Sequence, residues 1–328
     1  MSKLFSIWIL LISLLLLASC SKDSSQQPKN EKEKIPSQSS VEFNHNEQTF
    51  HIIPLYEEIL DYTSAAQEDS QLNTEGEYFT RVVQPFKEKA YEQEATINNY
   101  QSFFLPTKNV EKLKENTIKL LKQQEEINQL IKESLLKSAK QLTGKNKVIF
   151  IMPLNPENTF PVNRMEGVSG VAFSENVLLL QIDPDFVSSA LTYAVAHEYH
   201  HTVNMETYEG NYPLMDSAIF EGKADLFARI VYPNKTVPWV EPLPENTKEV
   251  ILNELKDNAN LTNHDIYRDF LEGDYAKGLP MWSNYKIGFT ILESYIKNNP
   301  AISNEEWTKL DSKGILEGSD YSHILIES

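Results

Sequence analysis

The chain has 328 residues, 47 of them acidic and 30 basic, for a formal net charge of −17. So negative a surface repels nucleic acid, and nucleic-acid binding is excluded on that ground. With 41% hydrophobic and 10% aromatic residues the chain can build a core, and its single cysteine rules out an internal disulfide framework.

The N-terminus reads as a targeting segment. Lys3 gives a basic start, and the apolar run from Phe5 to Ala18 is too short for a membrane span but suits a secretory signal. It ends in Leu17, Ala18, Ser19 and Cys20, which resembles the bacterial lipobox, in which the cysteine receives a lipid and becomes the new N-terminus. The expectation is a signal peptide over 1–19 and a lipid anchor on Cys20, holding the protein at the extracytoplasmic face of the membrane without spanning it. The following stretch is rich in Ser, Gln, Lys, Glu and Pro, so residues 20–45 are expected to be a disordered tether.

Residues 50–142 read as helical. IIPLYEEILDYTSAAQ and EYFTRVVQPFKEKAYEQ place apolar residues at helical spacing, and residues 109–142 repeat them every three or four positions until Gly144 ends the pattern. The signal then changes. KVIFIMPL and NVLLLQID are short runs of branched apolar residues between turn formers, and both predict strands. GVSGVAF between them predicts a third, with Gly167 and Gly170 permitting close backbone approach. Asp183 as N-cap and Pro184 in the first turn predict a helix over about residues 184–203.

That helix holds three of the seven histidines, in AVAHEYHHTV. His197, Glu198 and His201 form H-E-x-x-H. Positions i and i+4 lie about 40° apart around a helix axis and about 6 Å along it, so the two imidazoles can share one metal ion. Glu198 is too far round to join them and can reach a water on the metal instead. His200 could pair with His197, but only the His197–His201 choice frees Glu198 for chemistry, so His200 reads as a packing neighbour. Twenty residues on, IFEGKADLFARIVYP predicts another helix, with Glu221 and Asp225 sharing a face. Glu221 is then the third ligand, and Asp225 can accept the free ring N–H of a ligating histidine. Ala190 and Ala194 on the first helix, with Ala218 and Ala228 on the second, are expected to let these two helices approach closely.

H-E-x-x-H followed at this distance by E-x-x-x-D resembles the gluzincins, the thermolysin-like zinc metallopeptidases. More closely, AHEYHH, EGKADLFA and YKIGFTILESYI resemble the bacterial predicted zinc-dependent proteases, over about residues 50–328. The resemblance implies one zinc ion on His197, His201 and Glu221, with Glu198 as general acid/base in hydrolysis of a peptide or protein substrate. It implies an α+β, zincin-like fold, mostly helical, whose small sheet offers an edge strand to an extended peptide. Tyr285 occupies a tyrosine position of the family's C-terminal helix and is a candidate to stabilise the oxyanion, ahead of His264, Tyr275 and Arg229. The expected organisation is a helical region over 46–144 and a metallopeptidase core over 145–328. The alternative is a lipoprotein that binds zinc to carry it or to hold a partner, without turnover.

Overall fold

The computed structural model describes residues 35–324, apart from 70–73, 94–96, 98–99 and 208–211. The expected signal peptide, Cys20 and the first part of the tether lie outside the described residues. The N-terminal half runs through strands β1 (Val41–His45) and β2 (Gln48–Pro54), helices α1 (Tyr56–Glu68) and α2 (Thr74–Tyr78), and a π-helical turn (Phe79–Val83). Helix α3 (Gln84–Glu92), a 3-10 turn (Tyr100–Phe103) and the long helix α4 (Val110–Gln141) follow. Next come β3 (Lys147–Pro153), α5 (Phe160–Arg164), β4 (Val168–Ala172), β5 (Val177–Ile182), α6 (Ser188–Met205) and α7 (Leu214–Val231). A 3-10 turn (Pro238–Val240), then α8 (Glu245–Asp257), α9 (His264–Glu272), α10 (Ser283–Asn298), α11 (Asn304–Lys309), α12 (Ser312–Glu317) and a last 3-10 turn (Ser322–Ile324) follow among the described residues.

This is an α+β fold, mostly helical, around a mixed five-stranded sheet in the order β1-β2-β3-β5-β4. The three inner strands are parallel, and the two edge strands run antiparallel to their neighbours. β3 and β5 are buried along their whole length. Strands buried on both faces read as unbroken apolar runs, which is why these two were legible. Ile149, Ile151, Leu178 and Leu180 face a core shared with α4, α6, α7 and α10. Val148, Phe150, Val177 and Leu179 face a second core, built largely from α1, α3 and the turn between α1 and α3. Among the described residues, no helix is long and apolar enough to cross a membrane.

Three expectations need correction. Residues 41–45 are strand β1 rather than tether, and residues 50–54 belong to strand β2 rather than a helix. Asn46, at φ 54°, turns the hairpin between them, and the free edge of β3 offers β2 a parallel ladder from Phe50↔Lys147 to Pro54↔Ile151. That ladder outweighs the local helical spacing. It also joins the two expected regions, because the sheet crosses the boundary at residues 144/145. Helix α6 starts at Ser188, not near 184: Asp183 accepts from the Asp185 N–H at 2.9 Å and its carbonyl accepts from Phe186 N–H at 3.1 Å. The residue read as a helix cap instead closes a turn of its own.

Candidate metal centre

α6 is buried on nearly every side, and it packs against α4, α7 and β4. A helix with no solvent face holds its side chains in fixed rotamers, which a metal site requires. The i, i+4 spacing puts the His197 and His201 Nε2 atoms 2.9 Å apart. α7 brings Glu221 Oε2 to 3.2 Å from His201 Nε2 and 3.3 Å from His197 Nε2. Two imidazole nitrogens and a carboxylate oxygen thus form a triangle of metal-ligating atoms. An ion bound at 2.0–2.1 Å in tetrahedral geometry requires ligand edges of about 3.3 Å, so the residues present fit a divalent ion such as zinc. The triangle offers three donors, one fewer than the four of a closed structural zinc site.

The rings are braced. His201 stacks on Phe220 with centroids 4.0 Å apart, and His197 stacks on Tyr285 at 6.2 Å. Asp225 is fully buried, and its Oδ1 lies 3.2 Å from His197 Nδ1, so it accepts the ring N–H and orients the ring with Nε2 toward the triangle. Tyr193 OH and Trp239 Nε1 donate to that same Oδ1, each at 3.0 Å. Burial disfavours charge on His197, but Asp225 and then Glu221 outweigh it and hold the imidazole well above its usual range. Burial likewise works to raise Glu221, yet His201 and His197 bring it far below the usual carboxylate range. Glu221 is therefore held ionised.

Glu198 lines a cleft of about 460 Å³ together with His197. Burial raises its carboxyl, with the nearby histidines opposing and Glu221 and Asp225 reinforcing the shift. A carboxylate tuned upward is a stronger proton acceptor than an exposed one. Strand β4 forms one wall, and Gly170 makes room there: a Cβ at that position would lie 2.6 Å from Glu198 Cγ. Phe160, Trp239, Trp282 and Tyr193 give the cleft an aromatic lining. Tyr285, on the first turn of α10, also lines it. Burial, with the carboxylates of Glu221, Asp225 and Glu198, holds the Tyr285 hydroxyl well above its usual range, so it keeps its proton. Helices α1 and α3 support the sheet from its other face, whereas α4 packs against α6 on the side of the site; among the described residues before 142, Phe103 alone lines the cleft.

His197, Glu198, His201, Glu221, Asp225 and Tyr285 are thus brought to one place. Arg229 is not: it pairs with Glu293 at 2.7 Å and lies over the Phe289 ring. Tyr275 is 85% exposed, and His264 opens α9 outside the cleft lining. His200 is fully buried against Trp307 and Phe227, with Nε2 3.2 Å from Thr308 Oγ1, and burial pushes it well below the usual histidine range. It packs.

The small residues divide between two helix contacts and the cleft. A Cβ on Gly288 would lie 1.8 Å from the Ala218 carbonyl oxygen, and one on Gly222 2.2 Å from the Gly288 carbonyl carbon. Ala218 and Gly222 therefore let α7 meet α10, Ala228 packs with Tyr193 and Ala196 of α6, and Ala190 and Ala194 line the cleft. Sequence reading missed Tyr193 and Trp239. Tyr193 is i−4 from His197, so helical spacing alone could have found it; Trp239 carries no local signal.

No curated protein and no solved structure matches the chain. A family model described as "Predicted Zn-dependent protease (DUF2268)" matches residues 127–317, from the middle of α4 to the end of α12, and so includes every residue of the triangle, Glu198, Asp225 and Tyr285. With more than half its length matched, the chain belongs to this predicted zinc-dependent protease family.

Proposed function

We propose that this protein is a zinc-dependent peptidase of the gluzincin type, with a zincin-like fold, held at the extracytoplasmic face of a membrane through a lipid on Cys20. The observation that carries the catalytic reading is the convergence of His197, His201 and Glu221 at 2.9–3.3 Å, with His197 and Glu198 both lining the cleft. Bound zinc supplies Lewis acidity toward a water and toward the scissile carbonyl. Glu198 accepts the water's proton at a carboxylate oxygen, in the space left by Gly170, and returns it to the leaving amine. Tyr285 keeps its hydroxyl hydrogen and donates toward the developing oxyanion. Asp225 fixes the tautomer of His197.

The free edge of β4 supports a peptide substrate. Asp183 N–H donates to Gly167 O at 2.8 Å and Phe173 N–H to Val177 O at 2.9 Å, which sets the hydrogen-bonded pairs at odd positions of β4. The N–H and C=O of Gly170 and Ala172 therefore point outward, where an extended peptide can pair with them. The apolar signal run ending in Leu17, Ala18, Ser19 and Cys20 supports the anchor.

The test is Glu198→Gln. The variant is expected to bind zinc at one ion per chain and to lose peptide cleavage by about 10²- to 10⁴-fold. Wild-type cleavage should disappear with a strong chelator and return with zinc. A variant that binds zinc and still cleaves like wild type refutes the assignment. A wild type that binds zinc but cleaves nothing in a mixed peptide pool is instead a non-catalytic zinc-binding lipoprotein. Cys20→Ala is expected to move the protein from the membrane fraction to the soluble one.

A further inference from the structure

We propose that Trp239 is a positioning residue for the metal centre: it acts through Asp225 on His197, and so ties the wall of the substrate cleft to the orientation of a ligand. The inference rests on the ligand set given under Proposed function. Three donors meet on one oxygen of Asp225: His197 Nδ1 at 3.2 Å, Tyr193 OH at 3.0 Å and Trp239 Nε1 at 3.0 Å. Asp225 is fully buried, so no bulk water replaces a donor that is lost. In a low-dielectric interior each of these bonds fixes where the carboxylate points, and the carboxylate fixes the plane of the His197 ring.

Trp239 differs from Tyr193 in its other neighbours. It sits in the 3-10 turn Pro238–Val240, whose first carbonyl accepts from Lys286 Nζ at 2.6 Å on α10. Its ring lies 5.8 Å from that of Trp282, edge to face, and Trp282 lies 5.7 Å from Phe160 in the same way. All three rings line the cleft. Trp282 adopts φ 62°, a left-handed conformation that a bulky residue holds only where its surroundings impose it. The contacts form one packed series, Phe160 to Trp282 to Trp239 to Asp225 to His197. A substrate side chain seated among these rings presses on the residue that aims the ligand.

The two jobs of Trp239 can be separated. Trp239→Phe keeps an aromatic wall and removes the N–H. It is expected to weaken zinc binding about tenfold, read by chelator competition on the purified protein, because removing a group that orients a metal ligand typically lowers metal affinity 10- to 100-fold. Its kcat should fall more than its KM rises. Trp282→Phe alters the same wall without touching Asp225, and is expected to change KM and peptide preference at wild-type zinc affinity. Thermal melting of both metal-free variants checks that they fold. His201→Ala is the reference that loses zinc. If Trp239→Phe holds zinc like wild type while His201→Ala does not, the positioning role is overturned and the ligand set stands. If His201→Ala also holds zinc like wild type, the ligand set itself falls. Equal losses of zinc affinity in Trp239→Phe and Trp282→Phe overturn the proposal as well, since general loosening of the wall then suffices.

Discussion

Replacing Gly170 with alanine tests the placement of Glu198 without touching any ligand. The new Cβ would stand 2.6 Å from Glu198 Cγ, 2.7 Å from Oε1 and 2.9 Å from Cδ. Carbon atoms in contact settle at about 3.5–4.0 Å, so something must retreat by about 1 Å. Strand β4 is held by its ladder to β5, with Gly170 opposite Leu180, and the backbone of α6 is buried among three neighbours. The softest degree of freedom is the Glu198 side chain, which turns away from its place in the cleft. A misplacement of about 1 Å in a catalytic group can lower the rate 10²-fold, so kcat should fall about 100-fold. Zinc content should stay at the wild-type level, because none of His197, His201 and Glu221 is among the atoms nearest the new Cβ. Overpacking should lower stability by about 1–3 kcal/mol, visible as a modest drop in melting temperature. Steady-state cleavage of a fluorogenic peptide, with metal analysis on the same preparation, measures both effects. An unchanged kcat in folded, zinc-loaded Gly170→Ala would falsify the claim that Glu198 works from the space beside β4.

Further outcomes follow from other contacts. Tyr285→Phe should lower kcat about 10²-fold at similar KM, the loss expected for one oxyanion donor; an unchanged kcat leaves Tyr285 as packing against His197. Gly288→Ala places a Cβ 1.8 Å from the Ala218 carbonyl oxygen, so α10 must move off α7, at a cost of about 3 kcal/mol in urea unfolding. A wild-type urea midpoint contradicts that close approach. Burial lowers Lys147 from 10.5 to about 8, with Glu206 opposing. Between pH 8 and 10.5 the unfolded lysine is then protonated while the folded one is not, so stability rises with pH across this window, by up to about 3 kcal/mol, and is level below it. Lys147→Met should remove that rise, and parallel pH–stability curves for variant and wild type count against it.

Local spacing determined part of this protein. The i, i+4 relation of His197 and His201 is a property of any helix, and so is the shared face of Glu221 and Asp225. β3 and β5 announced themselves because both their faces are covered. Strand β2 did not, since its ladder partner β3 lies almost a hundred residues away and a short apolar run fits a helix equally well. The start of α6 was misread for a similar reason: Asp183 can cap a helix or close a turn, and Val187 N–H chose by bonding to Glu166 O at 3.0 Å.

The sequence by itself held the candidate metal-donor types, their spacing along two helices and the glutamate beside the first histidine. Only the tertiary structure decided which helices touch. It set Ala218 and Gly222 against Gly288 of α10, and Gly170 beside Glu198. It also brought Trp239, from a loop with no periodic pattern, onto Asp225. Spacing within one element is fixed by backbone hydrogen bonds and is readable from adjacent residues. Distances between elements are fixed by how side chains from distant segments fill a common volume, and that information is spread over the whole chain.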